Sequence, residues 1–288
     1  MSSTLFIKHD RLTLSLTVED VRSVKPHEET IPHVIREMVS SLKREEAQLD
    51  PIIVDQRTGV ALDGMHRLAA LKQLGARRIV VCRVDYRSTS IRLKRWLRAC
   101  DAPSTPLLED LKVRLDLTRS GDLKARRMVD GGKSLAALIT RGTAFYSLLP
   151  RTKGEDFEAL RVFDGVAANH GLKPRLVTDL DIEDAIASGA LLLYTPRPKK
   201  KDVVMAGLSG KVLPPKTTRH LVPARPMGLA YPLNWLKDDT LSLREANRRL
   251  GELVASRRLE RVEPGTKYGD RTYEETLYVF SPKQVNEA

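Results

Sequence analysis

Pro51-Ile52-Ile53-Val54-Asp55-Gln56-Arg57-Thr58-Gly59-Val60-Ala61-Leu62-Asp63-Gly64-Met65-His66-Arg67-Leu68-Ala69-Ala70-Leu71-Lys72-Gln73-Leu74-Gly75 is the stretch whose reading decides the fold. The apolar run Pro51–Val54 suits a buried strand, and Arg57-Thr58-Gly59 carries turn chemistry before a second strand. Leu68, Leu71 and Leu74, with Ala70, fall at helical spacing, and Gly75 stands where a left-handed cap closes a helix. The sequence therefore predicts strand, turn, strand and a helix that opens at Asp63-Gly64. Gly64 lets the backbone approach a ligand closely. The first amides of such a helix lack partners within it, and with the positive end of the dipole they make an anion site. Asp-Gly before a helix is equally a plain N-cap and turn, with Arg67 on a solvated face, and spacing alone leaves both readings open.

Asp63-Gly64-Met65-His66-Arg67 followed by Leu68-Ala69-Ala70-Leu71 resembles the phosphate-binding loop of the ParB/sulfiredoxin-like superfamily, and within it the free L-serine kinases. Further blocks carry the likeness. His27-Glu28 resembles the kinase His-Glu pair offered toward the substrate hydroxyl. A Thr-Arg element (Lys216-Thr217-Thr218-Arg219-His220) precedes Pro232-Leu233-Asn234-Trp235-Leu236-Lys237, similar to the family's Pro-Leu-x-x-Leu-Lys segment.

The resemblance implies an α/β (α+β) chain with a ParB/sulfiredoxin-like nucleotide- and phosphate-binding domain over 1–102. A mixed α/β domain over 103–288 would complete the substrate site. It implies phosphorylation of free L-serine to O-phospho-L-serine, with ADP or ATP as donor and Mg²⁺ as cofactor. Glu28 is then the candidate base, with Glu29 beside it as the alternative. Asp63 would hold Mg²⁺ or align the hydroxyl. Gly64, Met65 and His66 would offer amides, and the side chains of His66 and Arg67 would meet phosphate oxygens. Trp96, Thr218, Arg219 and His220 would recognise serine or its phosphate. Hydroxyls and cations converging in one loop suit phosphate or carboxylate on chemical grounds as well. Read without the resemblance, Glu28 and Glu29 are acidic residues of a helix first turn, and Trp96 is a packing residue.

Composition narrows the classes. A chain of 288 residues with 41% hydrophobic content is long enough for one large or two ordinary cores and is not a disordered polymer. No apolar run reaches the ~20 residues of a membrane span, and Met1–Lys8 lacks the apolar core of a signal peptide. Two cysteines, Cys82 and Cys100, are too few for a disulfide framework or a four-ligand zinc site, so a cytoplasmic protein is expected. The net charge of +12 suits phosphorylated small molecules or nucleic acid.

Competing readings are chemically testable on the residues. A sulfiredoxin needs a cysteine before the His-Arg pair, and Met65, a thioether, stands there. Asp130-Gly131-Gly132-Lys133-Ser134 lacks the earlier glycine of a phosphate-binding P-loop, because Arg127 occupies that place. A ParB-like, nucleotide-dependent DNA-binding regulator is the alternative. It draws on the basic run Arg77–Arg98 and on a helix over 242–256 followed by a hairpin, which reads as a winged unit or as a packing edge.

Around the central stretch, residues 11–24 alternate apolar and polar before a short helical turn. Residues 33–48 form an amphipathic helix with Val34, Ile35, Met38, Val39 and Leu42 inward. The pattern further predicts a helix over 91–100 bearing Trp96 and a boundary at Asp101–Pro106. It gives a buried strand at Ala190–Tyr194 and a solvated lysine run at 199–201.

Overall fold

A computed structural model describes residues 5–101, 103–149, 157–269 and 271–283. Ala102 in the expected boundary, Asp270 in the expected C-terminal hairpin, and the first four residues lie outside the described residues. The chain divides into two compact units: Met1–Arg92 with Lys200–Val212 and His220–Ala288, and Leu93–Lys199 with Leu213–Arg219.

In the first unit, β1 (Leu5–His9) and β2 (Leu12–Asp20) form a hairpin. Along β2 the side chains of Leu12, Leu14, Leu16 and Val18 are buried and alternate with more exposed polar ones, the period-two signature of a strand with one face in the core. A 3₁₀ turn, Val21–Ser23, follows. After α1 (Pro32–Glu45) and a two-residue strand β3 (Ala47–Gln48) come β4 (Ile52–Asp55), β5 (Ala61–Asp63), α2 (Met65–Gln73) and β6 (Arg78–Val84). The five-stranded sheet runs β1-β2-β6-β4-β5, with β4 parallel to β6 and the other pairs antiparallel. Every residue of β4 is buried, as a central strand covered on both faces requires. Gly75 takes the left-handed conformation at φ 74° just past α2.

The C-terminal third packs back on this sheet. Asn247, on the helix Leu243–Ala255, imitates a strand edge: its Oδ1 accepts from the Val18 amide at 2.9 Å and its Nδ2 donates to the Val18 carbonyl at 2.9 Å. Tyr231 pairs with Gln48, and the strand Arg225–Met227 joins Leu277–Pro282 and Arg257–Val262 in a three-stranded sheet. These long-range pairings place the described residues from 220 to 283 with the first unit, whereas the sequence predicts a division at 102/103.

The second unit is a six-stranded antiparallel sheet, in spatial order 175–177, 97–100, 191–194, 137–140, 143–147, 117–120. One face buries Leu138 and Leu193 under the helices Thr105–Arg114 and Glu158–Asn169. The other buries Ile139 and Leu192 under Asp122–Asp130 and Ile182–Ala187.

Three local expectations need correction. Residues 91–100 are two strands, Arg92–Arg95 and Leu97–Cys100, with Trp96 between them, and no helix. The arginines that imitate a wet helix face are buried and paired: Arg95 Nε donates to Asp179 Oδ1 at 3.0 Å and Arg98 Nε to Asp164 Oδ1 at 3.0 Å. Lys200 opens the helix Lys200–Ser209, and its ammonium donates to the carbonyls of Tyr86 and Ser88 at 2.8 and 2.7 Å, so it is not part of a solvated run. On α1 only Leu42 is fully buried, while Val34, Ile35, Met38 and Val39 are half-buried.

Candidate active site

β5 ends on Asp63, and Gly64 turns the chain into α2 at φ 95°. A Cβ at Gly64 would stand 3.0 Å from Ile52 Cγ1 while forced into a conformation L residues avoid, so the turn calls for glycine. The Gly64 carbonyl accepts the first helical bond from Leu68 at 2.9 Å. The amides of the first turn that follow are those a helix cannot satisfy itself.

The loop Lys25–Ile31 is laid along this turn by successive anchors. The Lys25 carbonyl accepts from the Ala61 amide at 2.8 Å, and the Lys25 amide donates to Gly59 at 3.0 Å. His27, fully buried, brings Nδ1 to 2.5 Å from the Ala61 carbonyl. The Ile31 amide donates to His66 Nε2 at 3.0 Å. Glu28 sits between the His27 and Ile31 anchors, on the segment tied to Ala61 of β5 and to His66 of α2. Its side chain is 9% exposed, and its Oε1 is 3.6 Å from His27 Nε2.

Arg225 closes the cluster. Buried in the first unit, it reaches Asp63 Oδ2 through Nη1 at 2.5 Å, Glu275 Oε1 through Nε at 3.0 Å and the His220 carbonyl through Nη2 at 3.2 Å. Glu275 is itself buried, whereas the Asp63 side chain is 46% exposed. The His220 ring meets His27 edge-on with centroids 5.5 Å apart, and its Nε2 shares a 2.7 Å hydrogen bond with the Tyr86 hydroxyl. Burial, then the like charge of His27, hold His220 well below the ordinary histidine range against the opposing pull of Asp63. Burial also pushes the Tyr86 hydroxyl upward. His220 is therefore neutral at physiological pH.

Glu28, Asp63, Gly64, Met65, His66 and His220 thus belong to one neighbourhood of the first unit. His66 spends Nε2 on the Ile31 amide. The Arg67 side chain faces the β4 entry: Nη1 donates to the Pro51 carbonyl at 3.2 Å and Nη2 lies 3.4 Å from Asp50 Oδ2. The other Asp50 oxygen accepts from the Gly228 amide at 2.9 Å. Trp96, Thr218 and Arg219 belong to the second unit. There the Arg219 guanidinium lies 5.0 Å from the centre of the Trp96 ring, within cation–π range, and Trp96 donates its amide to Thr217 at 3.3 Å. Arg98 holds the same loop through the carbonyls of Lys216 and Pro215, at 2.9 and 2.6 Å.

Sequence reading passes over Arg225, Glu275 and Tyr86. Arg225 lies in Pro223-Ala224-Arg225-Pro226, and a cation fenced by prolines next to the Thr-Arg-His block is the only local signal. Among the described residues no group of three or more His, Cys, Asp or Glu could cage a metal ion. One half-exposed carboxylate, Asp63, fits a hydrated Mg²⁺, which takes one or two protein carboxylates and shares the rest of its shell with water and substrate phosphates. Among the described residues no helix is long and apolar enough to cross a membrane.

No family model matches the chain. An ATP-dependent L-serine kinase of Staphylothermus marinus is 28% identical over 233 residues, covering 76% of this chain and 90% of that protein. An ADP-dependent L-serine kinase of Thermococcus kodakarensis is 25% identical over 220 residues, 72% of this chain and 87% of the relative. A solved glutamate-to-alanine mutant of a free serine kinase, in complex with ADP, superposes with a TM-score of 0.67 at 23% identity over 77% of this chain and 93% of that one, which shows a shared fold. The likeness carried by the Asp63 loop and the Thr-Arg block therefore extends over about three quarters of the chain, which is similar in sequence to the L-serine kinases and shares the fold of a free serine kinase.

Proposed function

We propose that this chain is a phosphotransferase that moves a phosphoryl group from ATP or ADP to the hydroxyl of free L-serine, yielding O-phospho-L-serine. The observation that carries the reading is the anchoring of the Lys25–Ile31 loop along the β5–α2 turn. It gives a shielded carboxylate, Glu28, a common address with Asp63 and the N-terminus of a helix. Likeness to two L-serine kinases over most of their lengths supports the same reaction.

Phosphoryl transfer asks little covalent chemistry of a protein and much positioning. Glu28, poorly hydrated at 9% exposure, accepts the serine hydroxyl proton as the oxygen attacks phosphorus. The amides of Gly64, Met65 and His66 bind the transferring oxygens at the positive end of the α2 dipole. Asp63, its Oδ2 oriented by Arg225, would hold Mg²⁺, which when bound would neutralise phosphate charge. In the first unit His220 is proposed to face the amino acid or its phosphate, and within the second unit Trp96, Thr218 and Arg219 keep the recognition role that the resemblance implies. Arg67 acts on the turn from behind by tying α2 to Asp50 and Pro51, and it reaches phosphate only if those bonds open. A cytoplasmic location accords with this chemistry. The DNA-binding alternative loses part of its support, because Arg83, Arg95 and Arg98 of the basic run pair with Glu19, Asp179 and Asp164.

The test is direct. Purified protein with L-serine, Mg²⁺ and either ATP or ADP should form O-phosphoserine, quantified by mass spectrometry. No product from either donor, with salt-sensitive DNA binding instead, would sink the reading.

A further inference from the structure

Arg225 serves two carboxylates at once, and one of them is shut away from water. We propose that Glu275 is a positioning residue for Asp63: its buried charge offsets Arg225, so the guanidinium can aim the Asp63 carboxylate without cancelling its attraction for a divalent cation. The proposal rests on the reading of Asp63 as the cation ligand.

The backbone sets up this arrangement. Arg225 opens the strand Arg225–Met227, which runs parallel to the strand Leu277–Pro282 with Arg225 opposite Leu277. Glu275 lies just upstream of that partner in the chain. On the other side of Arg225, Ala224 is buried at φ 63°, a conformation that a residue with a Cβ keeps only where its surroundings impose it. Pro226 restricts the φ that follows. Arg225 is thus delivered from a constrained stretch of chain, with Glu275 beside it.

The charges follow from the contacts. Arg225 Nε donates to Glu275 Oε1 at 3.0 Å, and both side chains are buried. Nη1 reaches Asp63 Oδ2 and Nη2 the His220 carbonyl. Burial works against a charged Arg225, yet Asp63 and Glu275 together hold it charged. His220, kept neutral chiefly by burial, adds no charge of its own.

Had Arg225 faced Asp63 alone, the two would form a neutral pair. A divalent cation arriving there would meet a guanidinium directly behind the carboxylate oxygen. With Glu275 present, two carboxylates and one guanidinium leave one net negative charge, and the member that solvent reaches is Asp63. Charges buried in this way are weakly screened, so the offset is felt at Asp63. Orientation comes from Arg225, and the right to stay negative while oriented comes from Glu275.

The experiment uses the full chain. Mn²⁺ alone, a paramagnetic stand-in for Mg²⁺, is titrated into wild type, Asp63→Ala and Glu275→Gln, and bound metal is read from the loss of the free-ion resonance. Glutamine keeps an oxygen for Arg225 Nε and removes only the charge, so a merely structural role is left intact. Expected is binding to wild type, its loss in Asp63→Ala and roughly tenfold weaker binding in Glu275→Gln. In the kinase assay the Mg²⁺ needed for half-maximal rate should rise by a similar factor, with KM for serine unchanged and the rate recovered at high Mg²⁺. Equal Mn²⁺ affinity in Glu275→Gln and wild type, binding that survives Asp63→Ala, or no binding to wild type overturns the proposal. Should Glu275→Gln not fold, Arg225→Gln/Glu275→Gln removes both buried charges together, which folds tolerate better than a stranded one. Its net charge beside the cation is that of wild type, so Mn²⁺ affinity should stay within about tenfold, and a larger loss overturns the proposal. If wild type makes no phosphoserine from either donor, the kinase reading falls, while the Mn²⁺ comparison still decides the role of Glu275.

Discussion

Arg225 in the first unit and Arg95 in the second are both buried guanidiniums held by a carboxylate and a backbone carbonyl. Arg95 pairs with Asp179, donates to the Thr195 carbonyl and stacks on Tyr194 with its guanidinium carbon 4.2 Å from the ring centre. Arg225 pairs with Glu275 and Asp63 and donates to the His220 carbonyl. The difference lies in the partner. Asp179 is 14% exposed and belongs to the packing, whereas Asp63 is 46% exposed and stands at a helix N-terminus among histidines. A buried charge is therefore a poor sign of a site, because its desolvation must be compensated wherever it occurs. A carboxylate held by a buried cation yet open to solvent is a better one.

The sharpest way to break that contrast is to remove the carboxylates. Glu28→Ala and Asp63→Ala should each lower kcat by about 10²–10⁴, read as O-phosphoserine formed per minute, with the circular dichroism spectrum retained. Asp179→Ala should instead strand Arg95 and cost about 3–5 kcal/mol in urea unfolding. A stable Asp179→Ala protein would show that the second unit tolerates its buried cation unaided, and the distinction would collapse. Gly64→Ala, forced to φ 95° against Ile52, should destabilise by about 1–2 kcal/mol and weaken nucleotide binding measured by calorimetry.

His220 supplies a pH test peculiar to the first unit. Its folded-state proton affinity is depressed, so below the unfolded value of 6.5 the unfolded chain binds the extra proton. Stability should be intact above that pH and fall by about 1.4 kcal/mol per pH unit beneath it, a slope that His220→Gln should remove in urea titrations. The smallest effect concerns the thiols. Burial pushes the Cys82 thiol up and raises Cys100 to about 11, so neither should be alkylated in the native protein at about pH 8, while both react in urea.

What the sequence disclosed follows the range over which each force acts. The β4–β5–α2 unit was legible because turn residues, helical spacing and the capping glycine all lie within 25 consecutive residues. Glu28 and Asp63 were legible as a pair only through resemblance, since the loop anchors that join them span 34 and 35 positions. The strands around Trp96 were misread because Arg95 and Arg98 find their carboxylates 84 and 66 residues away, and unpaired arginines imitate a solvated helix. Arg225 was invisible for the same reason: Asp63 and Glu275 are 162 and 50 residues distant. The half-buried face of α1 shows that amphipathic spacing gives the direction of a face but not how deeply it sinks.

The stitching of residues 25–31 to Gly59, Ala61 and His66 has a practical corollary for anyone who would transplant or redesign this chemistry. The β5–α2 turn cannot be lifted out as a short cassette, because the residues proposed to act beside it arrive on a separate strip of chain. Any graft must bring both strips and their cross-ties. On the proposed function, mutations that loosen the strip should weaken proton acceptance by Glu28 and phosphate binding at the turn together.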